Sequence, residues 1–182
     1  MSLAHDFKIY QEEIELIRVQ TRVECDLYSI IACVIREREN SKDISLREVS
    51  QRRKTQFSEK MWGDSGFADF VILERNQKFD KPYGAIEVKT MIKNLNDNSQ
   101  QLKNHLDFYK KVIYTNGLKW RYYEVDNLPK PVWECELGEL CRNEKWNERS
   151  RVEVQISNEK IHWNSEESWE KLLDGLEKIN WR

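Results

Sequence analysis

From residue 5 to about 38, apolar positions return at helical spacing. Tyr10, Ile17 and Ile31 recur at sevens, and so do Ile14, Tyr28 and Ile35 with Thr21 between them. This spacing predicts one long helix. A polar stretch from about 36 to 66 follows, with a short strand expected around Thr55 to Glu59. Two apolar runs, 67–74 and 83–89, predict strands, and Asn76 to Pro82 reads as a polar hairpin-like connection between them. The run "NDNSQQLKNHLDFYKK" predicts a helix with Leu102, Leu106 and Tyr109 on one face.

Beyond that helix, "VIYT-NG-LKWRYYEV" predicts a hairpin in which Asn116 and Gly117 supply the two positive-φ residues of a type I′ turn. In the last third, "RVEVQISNEKIHW" reads as a second hairpin turning near Asn158-Glu159. A final helix is expected in "NSEESWEKLLDGLEKI", capped by Asn164 with Glu167 reciprocating, and buried through Trp169, Leu172, Leu173 and Leu176. No internal repeat or low-complexity tract interrupts this order.

The two apolar strands carry charges that a core would not choose. Asp69 heads the first, and Glu87 and Lys89 stand two apart at the end of the second. Alternation along a strand sends Glu87 and Lys89 to one face and Ile86 and Val88 to the other. Asp69 falls opposite them if the two strands pair antiparallel. Unpaired buried charges cost several kcal/mol, on the order of a typical domain's margin, so the three are expected to pair or to hold a metal. Two carboxylates beside a lysine suit a hard divalent ion and an activated water.

Composition narrows the setting. The chain has 182 residues, enough for one domain with a real core, and its abundant charge with few Pro and Gly marks it as globular. No apolar stretch reaches the roughly 20 residues of a membrane span, and no signal peptide is visible. Cys25, Cys33, Cys135 and Cys141 form no C-x-x-C pair, which points to free thiols in a reducing cytoplasm.

The net charge of −2 is unevenly spread. Residues 36–60 and 89–123 are rich in Lys and Arg, whereas the chain beyond 124 is acidic. That asymmetry suits a polyanion-facing side, with a merely solvated basic surface as the plainer alternative. The candidate phosphate contacts are Arg52, Arg53, Lys54, Lys110, Lys111, Lys119 and Arg121.

Gly66-x-x-Asp69 followed by Glu87-x-Lys89, and then "QQLKNHLDFY" and "VIYTNGLKWRYYE", resembles the PD-(D/E)XK nuclease superfamily. The pattern looks most like the N-terminal nuclease domain of type I restriction enzyme R subunits, over roughly residues 10 to 125. The resemblance implies an α/β fold with a restriction-endonuclease-like α-β-β-β-α-β core. The chain would then be a single nuclease-like domain, with its core at about 5–125 and a C-terminal hairpin and helix appended at about 126–182. It implies Mg²⁺, with Mn²⁺ able to substitute, held by Asp69, Glu87 and Val88, and catalysis by Asp69, Glu87 and Lys89. The implied activity is DNA phosphodiester hydrolysis in restriction or phage defence. DNA is the implied partner, and motor or specificity subunits of a restriction system and a homo-oligomer remain open.

Two helix residues join the candidates. Gln101 stands where such families carry a glutamine after the lysine, although His105 occupies the place of their aromatic residue; Gln101 reads equally well as the capping-box partner of Asn98. Many members also place a helix glutamate beside the metal, and Glu24, on the line Tyr10, Ile17, Glu24, Ile31, is the candidate here. The alternative is a helix bent near Thr21 with Glu24 facing water. A different functional class also fits the pattern: a non-catalytic nucleic-acid or protein-binding module with the three charges idle. A small-molecule-binding α/β protein is disfavoured by the lack of any Gly-rich phosphate loop.

Overall fold

The computed structural model describes residues 6–75 and 81–182; the expected connection at Asn76 to Pro82 lies mostly outside them. The protein is mixed α/β. A six-stranded sheet runs in the order β1 (Ile44–Glu48), β2 (Phe70–Glu74), β3 (Gly84–Val88), β4 (Lys111–Thr115), β5 (Lys119–Glu124) and β6 (Trp133–Glu136). All neighbours are antiparallel except β3 and β4. That parallel pair needs a crossover, which α3 (Gln100–Tyr109) supplies.

The sheet is covered on both faces. One face sends Phe70, Ile72, Ile86, Val88, Ile113, Trp120 and Tyr122 into a core shared with α1 (Phe7–Gln20), α2 (Asp26–Arg36) and α5 (Glu166–Glu177). The other sends Val71, Ala85, Val112, Tyr114 and Tyr123 against Leu102, Leu106 and Tyr109 of α3. A separate two-stranded sheet, β7 (Gly138–Arg142) with β8 (Glu159–Trp163), flanks the short helix α4 (Val152–Ser157). Within the described residues no helix is long and apolar enough to cross a membrane, and all four cysteines are free.

The expected long helix is two helices. Asp6 caps α1, its carboxylate accepting from Lys8 N and Ile9 N at 3.0 and 3.3 Å. The helix stops at Thr21, and Arg22 adopts a left-handed φ of 57°. That conformation is unfavourable for a residue with a Cβ. The Arg22 guanidinium is held 2.6 Å from the buried Glu159 carboxylate, which also meets Arg142 at 3.4 Å. Tyr10 and Ile14 of α1 and Tyr28, Ile31 and Ile35 of α2 nonetheless enter the same core.

The first strand is Ile44–Glu48 and not the expected 55–59. Its alternation is brief, Ile44 and Leu46 buried and Arg47 exposed. Around Thr55 the Ser58 hydroxyl accepts from Thr55 N at 3.0 Å and donates to Arg53 O at 2.9 Å, so side chain–backbone bonding imposes a turn.

At the β4–β5 turn Thr115 pairs with Trp120, which leaves Gly117-Leu118 as the loop. Gly117 alone has positive φ, 84°, the pattern of a type II′ turn, and Asn116 instead accepts from Leu118 N and Lys119 N through its side chain.

The second expected hairpin is also replaced. Residues 152–157 are helical, and β8 pairs with β7. Ser99 caps α3 in place of Asn98, and Ser165 takes the N-cap position of α5, while the Asn164 amide donates to Glu136 O at 2.7 Å.

Candidate active site

The antiparallel register Phe70↔Ile86 carries Asp69, one residue before β2, to the level of Glu87 near the end of β3. Asp69 Oδ2 accepts from Val88 N at 2.7 Å, and its Oδ1 accepts from the Tyr28 hydroxyl at the start of α2. Val88 therefore enters the site through its backbone N–H. Tyr28 packs edge-on against Phe70, with ring centroids 5.2 Å apart, which fixes the hydroxyl's direction.

Glu87 and Asp69 are buried, 3% and 8% exposed. Burial first, and then the neighbouring Glu87 charge, push the Asp69 carboxyl up to about 7, while the bonds from Tyr28 and Val88 pull the other way. Burial also raises the Tyr28 hydroxyl, as does its bond to Asp69.

Glu87 points toward α3. Its Oε1 accepts from Lys89 Nζ and, at 2.6 Å, from Gln101 Nε2. Gln101 Oε1 in turn accepts from Lys89 Nζ at 3.2 Å. Gln101 thus serves the site and not a capping box. Burial alone would lower the Lys89 ammonium, but Glu87, with Glu24 and Asp69 beyond it, holds it above its ordinary value.

Glu24 lies in the break between α1 and α2 and is half-buried. It is close enough to raise both the Asp69 carboxyl and the Lys89 ammonium. The helix does break at Thr21, and Glu24 is half-buried in the break, with its charge felt at Asp69 and Lys89.

His105 stands where the resemblance implies an aromatic residue. It is fully buried, with Nε2 3.2 Å from Glu87 Oε2, and neither ring nitrogen makes a hydrogen bond among the described residues. Its signal was its place one helical turn after Gln101, on the same face.

The basic candidates divide. Arg52, Arg53 and Lys54 are exposed in the loop that precedes Asp69. Lys110 ends α3 and donates to Asp107 O at 2.5 Å. Lys111, at the end of the sheet away from Lys89, donates to the carbonyls of Asn180 and Arg182. Lys119 pairs with Glu136 at 2.9 Å, and Arg121 with Asp97 and Glu134.

Among the described residues no three His, Cys, Asp or Glu side chains are grouped to hold an ion. Two buried carboxylates fit Mg²⁺ nonetheless, because that ion is commonly held by one or two carboxylates with phosphate and water completing its shell. Compared with protein-family models, curated proteins and solved structures, the chain matches none of them.

Proposed function

We propose that the protein is a divalent-metal-dependent endonuclease that hydrolyses DNA phosphodiester bonds, of the PD-(D/E)XK kind. One observation carries the reading: two buried carboxylates and a lysine lie together at one end of the inner strands β2 and β3, with one carboxyl raised to about 7. Ion pairing alone needs one carboxylate for one lysine. The order α2-β1-β2-β3-α3-β4 accords with the α-β-β-β-α-β core that the sequence motifs imply.

In this reading Asp69 and Glu87 hold Mg²⁺ or Mn²⁺. When bound, the ion supplies charge stabilisation at the scissile phosphate and a lowered pKa for its water. Tyr28 O–H and Val88 N–H aim the Asp69 carboxylate. Gln101 holds Glu87 and Lys89 in register, and the Lys89 ammonium orients the attacking water or meets the charge that builds on the phosphoryl oxygens.

Calorimetry with Mg²⁺ and Mn²⁺, beside a DNA-cleavage assay, tests this. Asp69→Ala and Glu87→Ala are expected to lose both metal binding and cleavage. Lys89→Ala is expected to lose cleavage while binding metal as well or better, because a positive charge beside the ion is gone. Full cleavage by Lys89→Ala would end the mechanism.

One observation favours the second reading, a non-catalytic binding module. Both Asp69 oxygens, and Oε1 of Glu87, already accept hydrogen bonds from the protein's own donors. A wild type that binds neither ion at millimolar concentration, with DNA present, decides for that module.

A further inference from the structure

The chain between β1 and β2 leaves and returns at the candidate site, since Val49 N–H donates to the Asp69 carbonyl at 2.9 Å. This loop is a braced platform. Met61 is buried, and its carbonyl accepts from the Tyr109 hydroxyl of α3 at 2.6 Å. Gly63 and Gly66 exchange backbone bonds of 3.1 and 2.9 Å, and Asn104 of α3 donates to Ser65 Oγ at 2.7 Å. Trp62 packs edge-on against Phe67, with ring centroids 4.8 Å apart, and carries Lys54 Nζ 5.6 Å above it.

From this platform six consecutive residues, Arg52 to Phe57, face solvent. Phe57 is 83% exposed, whereas the other exposed large apolar side chains range from 37% to 54%. The turn around the buried Ser58 fixes the backbone beside it. Arg52 and Arg53 make no ion pair or side-chain hydrogen bond among the described residues. An exposed aromatic ring in the same loop as the unpaired Arg52 and Arg53 matches how proteins grip nucleic acid: cations track phosphates, and a ring stacks on a base. A protein partner would call for a contiguous apolar patch, and the exposed residues on either side of Phe57 in the chain, Gln51 to Gln56 and Glu59 to Lys60, are all polar or charged.

We propose that Phe57 lays its ring against a nucleobase while Arg52, Arg53 and Lys54 contact the adjoining phosphates, so that this loop presents nucleic acid to the site beside Asp69. The inference rests on the nucleic-acid half of the nuclease reading and not on the cleavage chemistry. The base face is that of an unpaired nucleotide, or of a base step in a duplex that the ring opens.

The test uses the full chain in metal-free buffer, with single-stranded and duplex DNA carrying 2-aminopurine, reading anisotropy for affinity and 2-aminopurine fluorescence for stacking. Phe57→Ala is expected to weaken binding by roughly tenfold to a hundredfold, to leave the salt slope unchanged and to abolish the stacking signal, while Phe57→Trp retains both. A signal with single strands alone identifies an unpaired base; a signal with duplex as well identifies an opened base step. Wild-type affinity and an unaltered stacking signal in Phe57→Ala would overturn the proposal. Metal-dependent cleavage by that same variant would then leave the nuclease reading standing. A wild type that binds neither DNA form at low salt also overturns it, and calorimetry with Mg²⁺ judges the metal site separately.

Discussion

The side-chain amide of Gln101 lies 2.6 Å from Glu87 Oε1, joining α3 to the end of β3. The same amide accepts from Lys89, so one glutamine fixes both the carboxylate and the ammonium of the candidate site. Partners of this kind orient the groups that touch metal or substrate, and removing one typically lowers metal affinity or activity roughly 10- to 100-fold. Gln101→Ala is expected to lower the cleavage rate by that factor without unfolding the protein, because Leu102, Leu106 and Tyr109 anchor α3 independently. A rate equal to wild type in single-turnover cleavage would show that the amide only bridges a static ion pair.

The basic residues should contribute unequally to DNA binding. On duplex DNA, every phosphate that a side-chain cation neutralises steepens the fall of log affinity with log salt by about 0.9. Replacing Arg52, Arg53 and Lys54 together by Ala is therefore expected to make that slope shallower by about 2 to 3. Lys111→Ala is expected to leave it unchanged, since Lys111 Nζ is tied to the carbonyls of Asn180 and Arg182 at the far end of the sheet. Salt titrations of the two variants side by side check this, and a reversed ranking would place the nucleic acid on the opposite end of the sheet.

Where side-chain alternation ran against burial, the sequence was easy to read. Asp69, Glu87 and Lys89 stood out because charge inside an apolar strand has few uses, and the strand register brings them to one end of the sheet. A bend near Thr21 was one of two readings; local sequence did not decide between them, because the partner of Arg22 at its φ of 57° is Glu159, 137 residues away in sequence. The helix at 152–157 stands where the first strand of the second hairpin was expected, in a stretch where Val152, Val154 and Ile156 alternate with polar residues. Val152 and Val154 are exposed, so no core enforced the strand that their spacing suggested. The place of His105 one turn after Gln101 marked its face of α3, but its distance from Glu87 depends on how α3 docks on the sheet.

The C-terminal segment expected as an appendage packs into the same core as the N-terminal helix. Trp169 of α5 is 2% exposed, stacks on Phe7 with ring centroids 5.5 Å apart, and meets Tyr10 at 4.8 Å. Trp169→Ala is expected to cost about 3–5 kcal/mol, the range for large aromatic deletions in a core. Urea denaturation measures it, and a loss below about 1 kcal/mol would mean that α5 docks weakly and the first 125 residues carry the fold.

The raised Asp69 carboxyl makes both stability and metal affinity depend on pH. An unfolded chain would titrate this group near 4, whereas burial and Glu87 raise it to about 7 in the folded protein. The folded state therefore holds the proton more tightly than the unfolded state. Its stabilising contribution is complete below about pH 4 and is lost as pH rises through about 7. Metal-free protein is expected to lose thermal stability across that window, and Asp69→Asn to flatten the loss and melt higher than wild type at alkaline pH. A bound divalent ion needs the carboxylate, so Mg²⁺ affinity is expected to climb over the same window and level off above it. Tyr28→Phe deletes a donor that favours the charged carboxylate, which should move the midpoint of that climb upward. Thermal melts and Mg²⁺ titrations of wild type, Asp69→Asn and Tyr28→Phe across pH provide the check. A midpoint that stays near pH 4 in the wild type would mean that solvent reaches Asp69 and that its burial does not set the site's electrostatics.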